Sequence, residues 1–171
     1  MAAEKNSIKN KPSWLPDIIS VDGNWEEILE RLYSIFSTDF IIGKPKLENY
    51  PVFWDRTIDQ DDKYDKGFWH LVEREDLLTK ERNFDPRRAE RLPWCAPSIE
   101  NCKDQIIKMW EYKEAKNKIN IYLWLEQFDY VVIFQKRKFK FGLIAFLITA
   151  FYVDGNSKRR NLLGKYENRI V

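Results

Sequence analysis

The clearest periodicity in the chain is helical: Trp25, Ile28, Leu29, Leu32, Ile35 and Phe36 recur at i, i+3, i+4 and i+7. That spacing predicts a helix with one buried face, and Asn24-x-x-Glu27 has the form of a capping box at its start. Residues 1 to 12 show no periodicity and read as a loose tail, so one ordered domain over residues 13 to 171 is expected, with Trp14 to Ile19 as an irregular or short helical lead-in. Val52 to Arg56 reads as a short strand. Lys66 to Arg74 reads as another, with Phe68, His70 and Val72 on one face and Trp69 and Leu71 on the other, so His70 is expected on a sheet.

From Ile106 onward the period falls to two. Ile106 to Tyr112, Ile119 to Leu125, Tyr130 to Gln135 and Leu143 to Val153 are predicted strands, and Ile119, Ile121, Leu123 and Leu125 alternate with Asn120, Tyr122 and Trp124. The links between them are short enough for hairpins and too short for helical crossovers, so an antiparallel meander is expected, with Lys136-Arg137-Lys138 in a solvated turn. Asp85-Pro86 has the chemistry of an N-cap followed by Pro at the first helical position. It predicts a short helix over Arg87 to Arg91 that stops at Pro93. Beyond Asp154-Gly155-Asn156, Ser157 is the expected cap of a basic last helix with Leu162, Leu163, Tyr166 and Ile170 turned to the core. The fold class that follows is α+β: N-terminal helices packed on an antiparallel sheet of four to six strands, and a C-terminal helix.

Composition narrows function more by what is scarce. One His, two Cys and six scattered Gly among 171 residues leave no Cys/His zinc cage, no HExxH, no GxGxxG and no Walker loop, so no cofactor is expected. The balance of 29 Lys+Arg against 27 Asp+Glu gives +2, which names no partner by bulk charge. Cys95 and Cys102 are too few for a secreted disulfide framework, and the longest apolar stretch, Phe141 to Val153, is shorter than the roughly 18 to 20 residues that span a bilayer. A cytoplasmic protein without membrane insertion is the expectation.

Local chemistry is carried by few residues. Arg87, Arg88 and Arg91 share a face of one short helix, with Arg82 just before it, and guanidinium forks crowded together favour anionic company such as phosphate. The alternative is pairing with Glu81, Asp85 and Glu90. His70 is the one side chain suited to proton transfer near neutrality, and its alternative is a hydrogen-bonded structural histidine. Thr149 and Tyr152 end the most apolar strand, where each hydroxyl needs a partner or a ligand, but strict alternation sets them on opposite faces unless a bulge intervenes. Glu111-x-Lys113, preceded by Asp104, matches the E-x-K of metal-dependent nucleases. Trp54, Trp69, Trp94, Trp110 and Trp124 read as core or as base-stacking surfaces.

The order of four segments is suggestive: Phe68-Trp69-His70-Leu71, then Asp85 to Trp94 (DPRRAERLPW), then Tyr130-Val131-Val132-Ile133, then Thr149-Ala150-Phe151-Tyr152. This resembles the phage- and mobile-element-associated branch of the barnase, colicin and RelE-like ribonuclease superfamily, over about residues 50 to 170. The resemblance implies helices before an antiparallel sheet, and metal-free, toxin-like cleavage of RNA that leaves 2′,3′-cyclic phosphate. It implies His70, Arg88, Arg91, Thr149 and Tyr152 as catalytic, with Arg82, Arg87 and Trp94 contacting substrate. RNA and an inhibitor protein are then the implied partners. Two other readings remain open at this point: a non-enzymatic RNA- or protein-binding module of a phage or defence system, and a Mg-dependent nuclease using Glu111 and Lys113. A sheet face rich in Tyr and Trp also suits a homodimer.

Overall fold

A computed structural model describes residues 10–171, so most of the expected N-terminal tail lies outside the described residues. The chain is α+β, with five α-helices arranged around one six-stranded sheet and a separate two-stranded ribbon among the described residues. Helix α1 (Trp25–Phe36) starts where Asn24 predicts, its side-chain oxygen accepting from the backbone N–H groups of Glu26 and Glu27 at 2.9 and 3.4 Å. Ile28, Leu29, Leu32 and Phe36 are buried, as the periodicity requires, and the helix runs on into a π-helical turn, Ser37–Ile42.

Strands β1 (Lys46–Leu47) and β2 (Tyr50–Phe53) follow. The strand expected over Val52 to Arg56 thus begins earlier and ends at Phe53, and Trp54 turns into the core. The expected strand through His70 is instead helix α2 (Lys66–Val72). Phe68, Leu71 and Val72 stand at i, i+3 and i+4, and all three are buried; in seven residues that helical spacing and an alternating one overlap, and the cap decides. Asp65 provides it, accepting from the backbone N–H of Phe68 at 2.8 Å.

After the ribbon of β3 (Glu73–Glu75) and β4 (Arg82–Phe84) come α3 (Pro86–Glu90) and α4 (Leu92–Glu100). Asp85 caps α3 as expected, accepting from Arg87 N and Arg88 N. Pro93 does not end that helix. The break lies at Arg91 (φ −100°, ψ 5°), and Pro93 sits in the first turn of α4, where a missing N–H costs nothing.

Strands β5 (Lys108–Ala115), β6 (Lys118–Leu125), β7 (Tyr130–Phe139) and β8 (Gly142–Tyr152) form the expected antiparallel meander. The whole sheet is mixed, in the order β1-β2-β8-β7-β6-β5, because β2 joins β8 in parallel through Val52–Ala145 and Phe53–Phe146. The long stretch of chain between those strands, helices, ribbon and three strands of the meander, permits the parallel pairing that short links forbid. Lys136, Arg137 and Lys138 lie inside β7 and not in a turn; the hairpin closes beyond Phe139, which pairs with Gly142 (φ +135°).

Both sheet faces are covered in part. One carries Ile121, Leu123, Val132, Phe134, Leu147 and Ala150 against the helical layer, where Phe36, Phe40, Phe68 and Trp54 pack ring against ring. The other carries Trp110, Tyr122, Trp124, Val131 and Val153 under Leu162 of α5 (Gly155–Glu167). Ser157 lies within α5 and does not cap it; the N-cap position is Asp154, without a side-chain bond. Leu163 and Ile170 stay exposed, which leaves Leu162 and Tyr166 as the residues that hold the helix to the sheet. No described helix is long and apolar enough to cross a membrane.

Candidate functional site

Helix α2 is pinned at its start. Asp65 is buried, takes a second hydrogen bond from Trp54 Nε1 at 3.4 Å, and has its carboxyl pushed up by desolvation against the pull of these bonds. With Phe68, Leu71 and Val72 committed to the core, His70 is left on the remaining side, half-buried. Hydrogen bonding at His70 falls on its carbonyl oxygen, which accepts from Thr149 Oγ1 at 2.9 Å and from Arg88 Nη1 at 3.1 Å. Burial, then Arg82, push its imidazole pKa down; Arg88 and Lys66 add to this and Asp55 opposes it. The ring is therefore neutral at neutral pH.

Arg88 is the central fastener of this region. Its Nη1 donates to His70 O, Glu73 O and Thr149 Oγ1, and its Nε stands 3.9 Å from Asp85. The carbonyls closing a helix have no partners within it, so one buried guanidinium satisfies the end of α2 and ties it to β8. Burial lowers its pKa to about 10, which leaves it charged. Arg91 is also engaged, donating to Arg87 O at 3.0 Å and pairing with Glu90, while its guanidinium lies over Trp94 (5.4 Å) and Tyr152 (4.5 Å). The buried Nε atoms of both Arg88 and Arg91 lack hydrogen-bond partners.

Arg87 is exposed and lies over the Tyr152 ring at 4.9 Å, so two guanidinium groups share one phenol. Arg82 is also exposed as a residue and reaches Glu73, through its carbonyl at 3.3 Å and its carboxylate at 3.7 Å. Thr149 and Tyr152 do lie on opposite faces of β8. The one register shift falls between the Ile133–Thr149 and Phe134–Leu147 pairs, ahead of both residues. Helix α3 nevertheless meets both: Arg88 reaches Thr149, and Arg87 and Arg91 reach Tyr152. The structure thus gathers His70, Arg82, Arg88 and Thr149, with Arg87, Arg91 and Tyr152 alongside. Trp94 is buried and donates its indole N–H to Pro16 O at 2.7 Å, as a core residue does.

The other candidates are dispersed. Glu111 is paired with Lys136 at 2.7 Å, and Asp104 accepts from Trp14 Nε1 and Ile106 N, so the carboxylates of the E-x-K reading have separate structural partners. Among the described residues no three His, Cys, Asp or Glu side chains come together to hold a metal ion. Trp110 is buried and stacks on Tyr122 at 4.9 Å. Sequence reasoning missed Asp55 and Lys66 around His70, and Glu73 beside Arg82 and Arg88; the helical spacing from Asp65 onward is the signal that would have put Lys66 and Glu73 at the two ends of the histidine's helix.

Comparisons with protein-family models, with curated proteins and with solved structures found no match.

Proposed function

We propose that this chain is a metal-independent endoribonuclease whose base is His70. The observation that carries the reading is a half-buried imidazole, unbonded at its ring among the described residues, held in neutral form beside Arg82, Arg88 and Lys66. A neutral imidazole can take the 2′-hydroxyl proton of a ribose, and the oxyanion then attacks the adjacent phosphorus to give a 2′,3′-cyclic phosphate. The leaving 5′-oxygen takes its proton from solvent at the open side of the site. Arg82 and Arg87, the exposed members of this arginine cluster, bind the phosphoryl oxygens as charge builds on them. Arg88 and Thr149 act as positioning residues, since both hold the carbonyl of His70. Tyr152 orients Arg87 through its ring, and Arg91 holds the Arg87 carbonyl.

The engagement of the Arg88 and Arg91 forks within the protein favours, as second reading, a module that binds RNA without cutting it. Incubation with mixed tRNA and with single-stranded DNA, in EDTA and in Mg²⁺, separates the two. The expected result is RNA cleavage in EDTA leaving cyclic phosphate, intact DNA, and a loss of about 100-fold or more for His70→Ala with its folded circular dichroism retained. Salt-dependent binding without turnover would establish the second reading in its place. Cleavage only with Mg²⁺ would overturn both and return attention to Glu111.

A further inference from the structure

The β7–β8 hairpin carries four cations, Lys136, Arg137 and Lys138 in β7 and Lys140 in the turn, and between Tyr130 and Val153 there is no acidic residue. That imbalance stands out in a chain whose overall charge is only +2. The hairpin tip is aromatic as well as basic: Phe139 is 39% and Phe141 67% exposed, and together with Phe53 they form a ring cluster with centroids 5.4 to 6.0 Å apart. Next to it Arg137 lies over the Phe146 ring at only 3.6 Å. Helix α5 covers Trp110, Trp124 and Val131 and leaves this end of the face uncovered. Exposed Phe rings are costly to keep in water, and an ordinary apolar partner would leave the exposed Lys138 and Lys140 unpaired at the contact, Lys136 being matched within the protein by Glu111.

We infer that the β7–β8 tip is a docking platform for single-stranded RNA, with bases stacked on Phe139 and Phe141 and phosphates held by Lys138 and Lys140. Unpaired bases are the flat apolar surfaces that stack on Phe, and their backbone supplies one negative charge per nucleotide, which matches aromatic rings interleaved with lysines. A neutral hydrophobic protein would match only the rings, and an acidic one only the lysines. The choice of RNA rests on the ribonuclease reading above. The platform is remote in sequence from His70, at the opposite end of β8 from Thr149, so it anchors a strand and takes no part in the chemistry.

The test is fluorescence anisotropy with a labelled 12-nucleotide oligo-U in EDTA, using His70→Ala chain so that the probe survives. Phe139→Ala/Phe141→Ala is expected to weaken binding by about tenfold or more. Lys138→Ala/Lys140→Ala is expected to lower the slope of log K against log salt by about 1.4, the contribution of two phosphate contacts on a single strand. Both pairs sit on exposed positions, and matching thermal transitions will verify their folds. Unchanged affinity in the aromatic pair, or binding of anionic phosphatidylserine vesicles with no binding of oligo-U, would overturn the inference. Failure of the ribonuclease reading is read separately: wild-type chain that binds oligo-U through the platform and never cleaves RNA would sink that reading and leave the platform standing.

Discussion

Arg88 illustrates how one side chain can be read two ways at residue scale. In a sequence its neighbours Arg87 and Arg91 make it a phosphate binder; in the fold its Nη1 serves three oxygens at the junction of α2, β3 and β8. Removing it leaves the His70 carbonyl to Thr149 alone and the Glu73 carbonyl to Arg82 alone, so Arg88→Ala is expected to lower unfolding free energy in urea by about 1 to 3 kcal/mol. Arg88→Lys should recover part of that, because the three bonds run from one nitrogen and an ammonium also carries three donors. Asp39 offers a residue-scale prediction with a sign. Burial, helped by Glu100, raises its pKa to about 6, so the folded state holds the proton more tightly than the unfolded chain. Stability from this group is therefore greatest below about pH 4 and is lost as pH rises through 6. Asp39→Asn should raise Tm at pH 7.5, by an amount on the order of 1–2 kcal/mol in stability, and the gain should vanish at pH 4 in the same thermal scans.

Among the elements, α2 is the one on which the candidate site depends and the one the sequence misled about. Phe68-Trp69-His70-Leu71-Val72 satisfies an alternating pattern as well as a helical one, and nothing within seven residues separates them. What separates them is outside: the Asp65 cap and the approach of Gly67 to Trp54. A Cβ at Gly67 would meet Trp54 Cδ1 at 2.5 Å and Cγ at 2.9 Å, and that indole is itself wedged against Phe36 and Phe40. Gly67→Ala is thus expected to cost about 1 to 3 kcal/mol and, by displacing α2, to reduce the RNA cleavage proposed above; a urea transition and a rate on the same preparation check both. By contrast α1, α3 and the β5–β8 meander were legible, because each carries a cap or a long unambiguous period. The arginine cluster was legible too, as was the alternative that pairs Arg88 with Asp85 and Arg91 with Glu90; the bonds of Arg88 and Arg91 to backbone carbonyls were not, since carbonyls leave no mark in a sequence.

At the scale of the whole molecule, the helical layer and the meander meet over a single interface, and Cys95 lies within it. Its thiol is fully buried, burial pushes its pKa upward, and Tyr130 and Asp39 lie near it. Cys102, at the far end of the same helical segment, is also buried and has a raised pKa, but it lies in a turn beside the charged groups of Glu48 and Lys103. A thiol reacts only as its thiolate and only when a reagent can reach it, so the two cysteines report different openings. Cys102 needs only the turn after α4 to loosen, whereas Cys95 needs the layer to lift off the sheet. Labelling with a chromogenic disulfide in native buffer should therefore take up one thiol through local opening, with the second following the global unfolding free energy as urea is raised. Cys102→Ser should remove the fast phase and leave the slow one. Loss of both phases at equal rates, with no urea dependence, would mean that the helices and the sheet do not form one cooperative unit, and that the site at their junction opens far more readily than its packing implies.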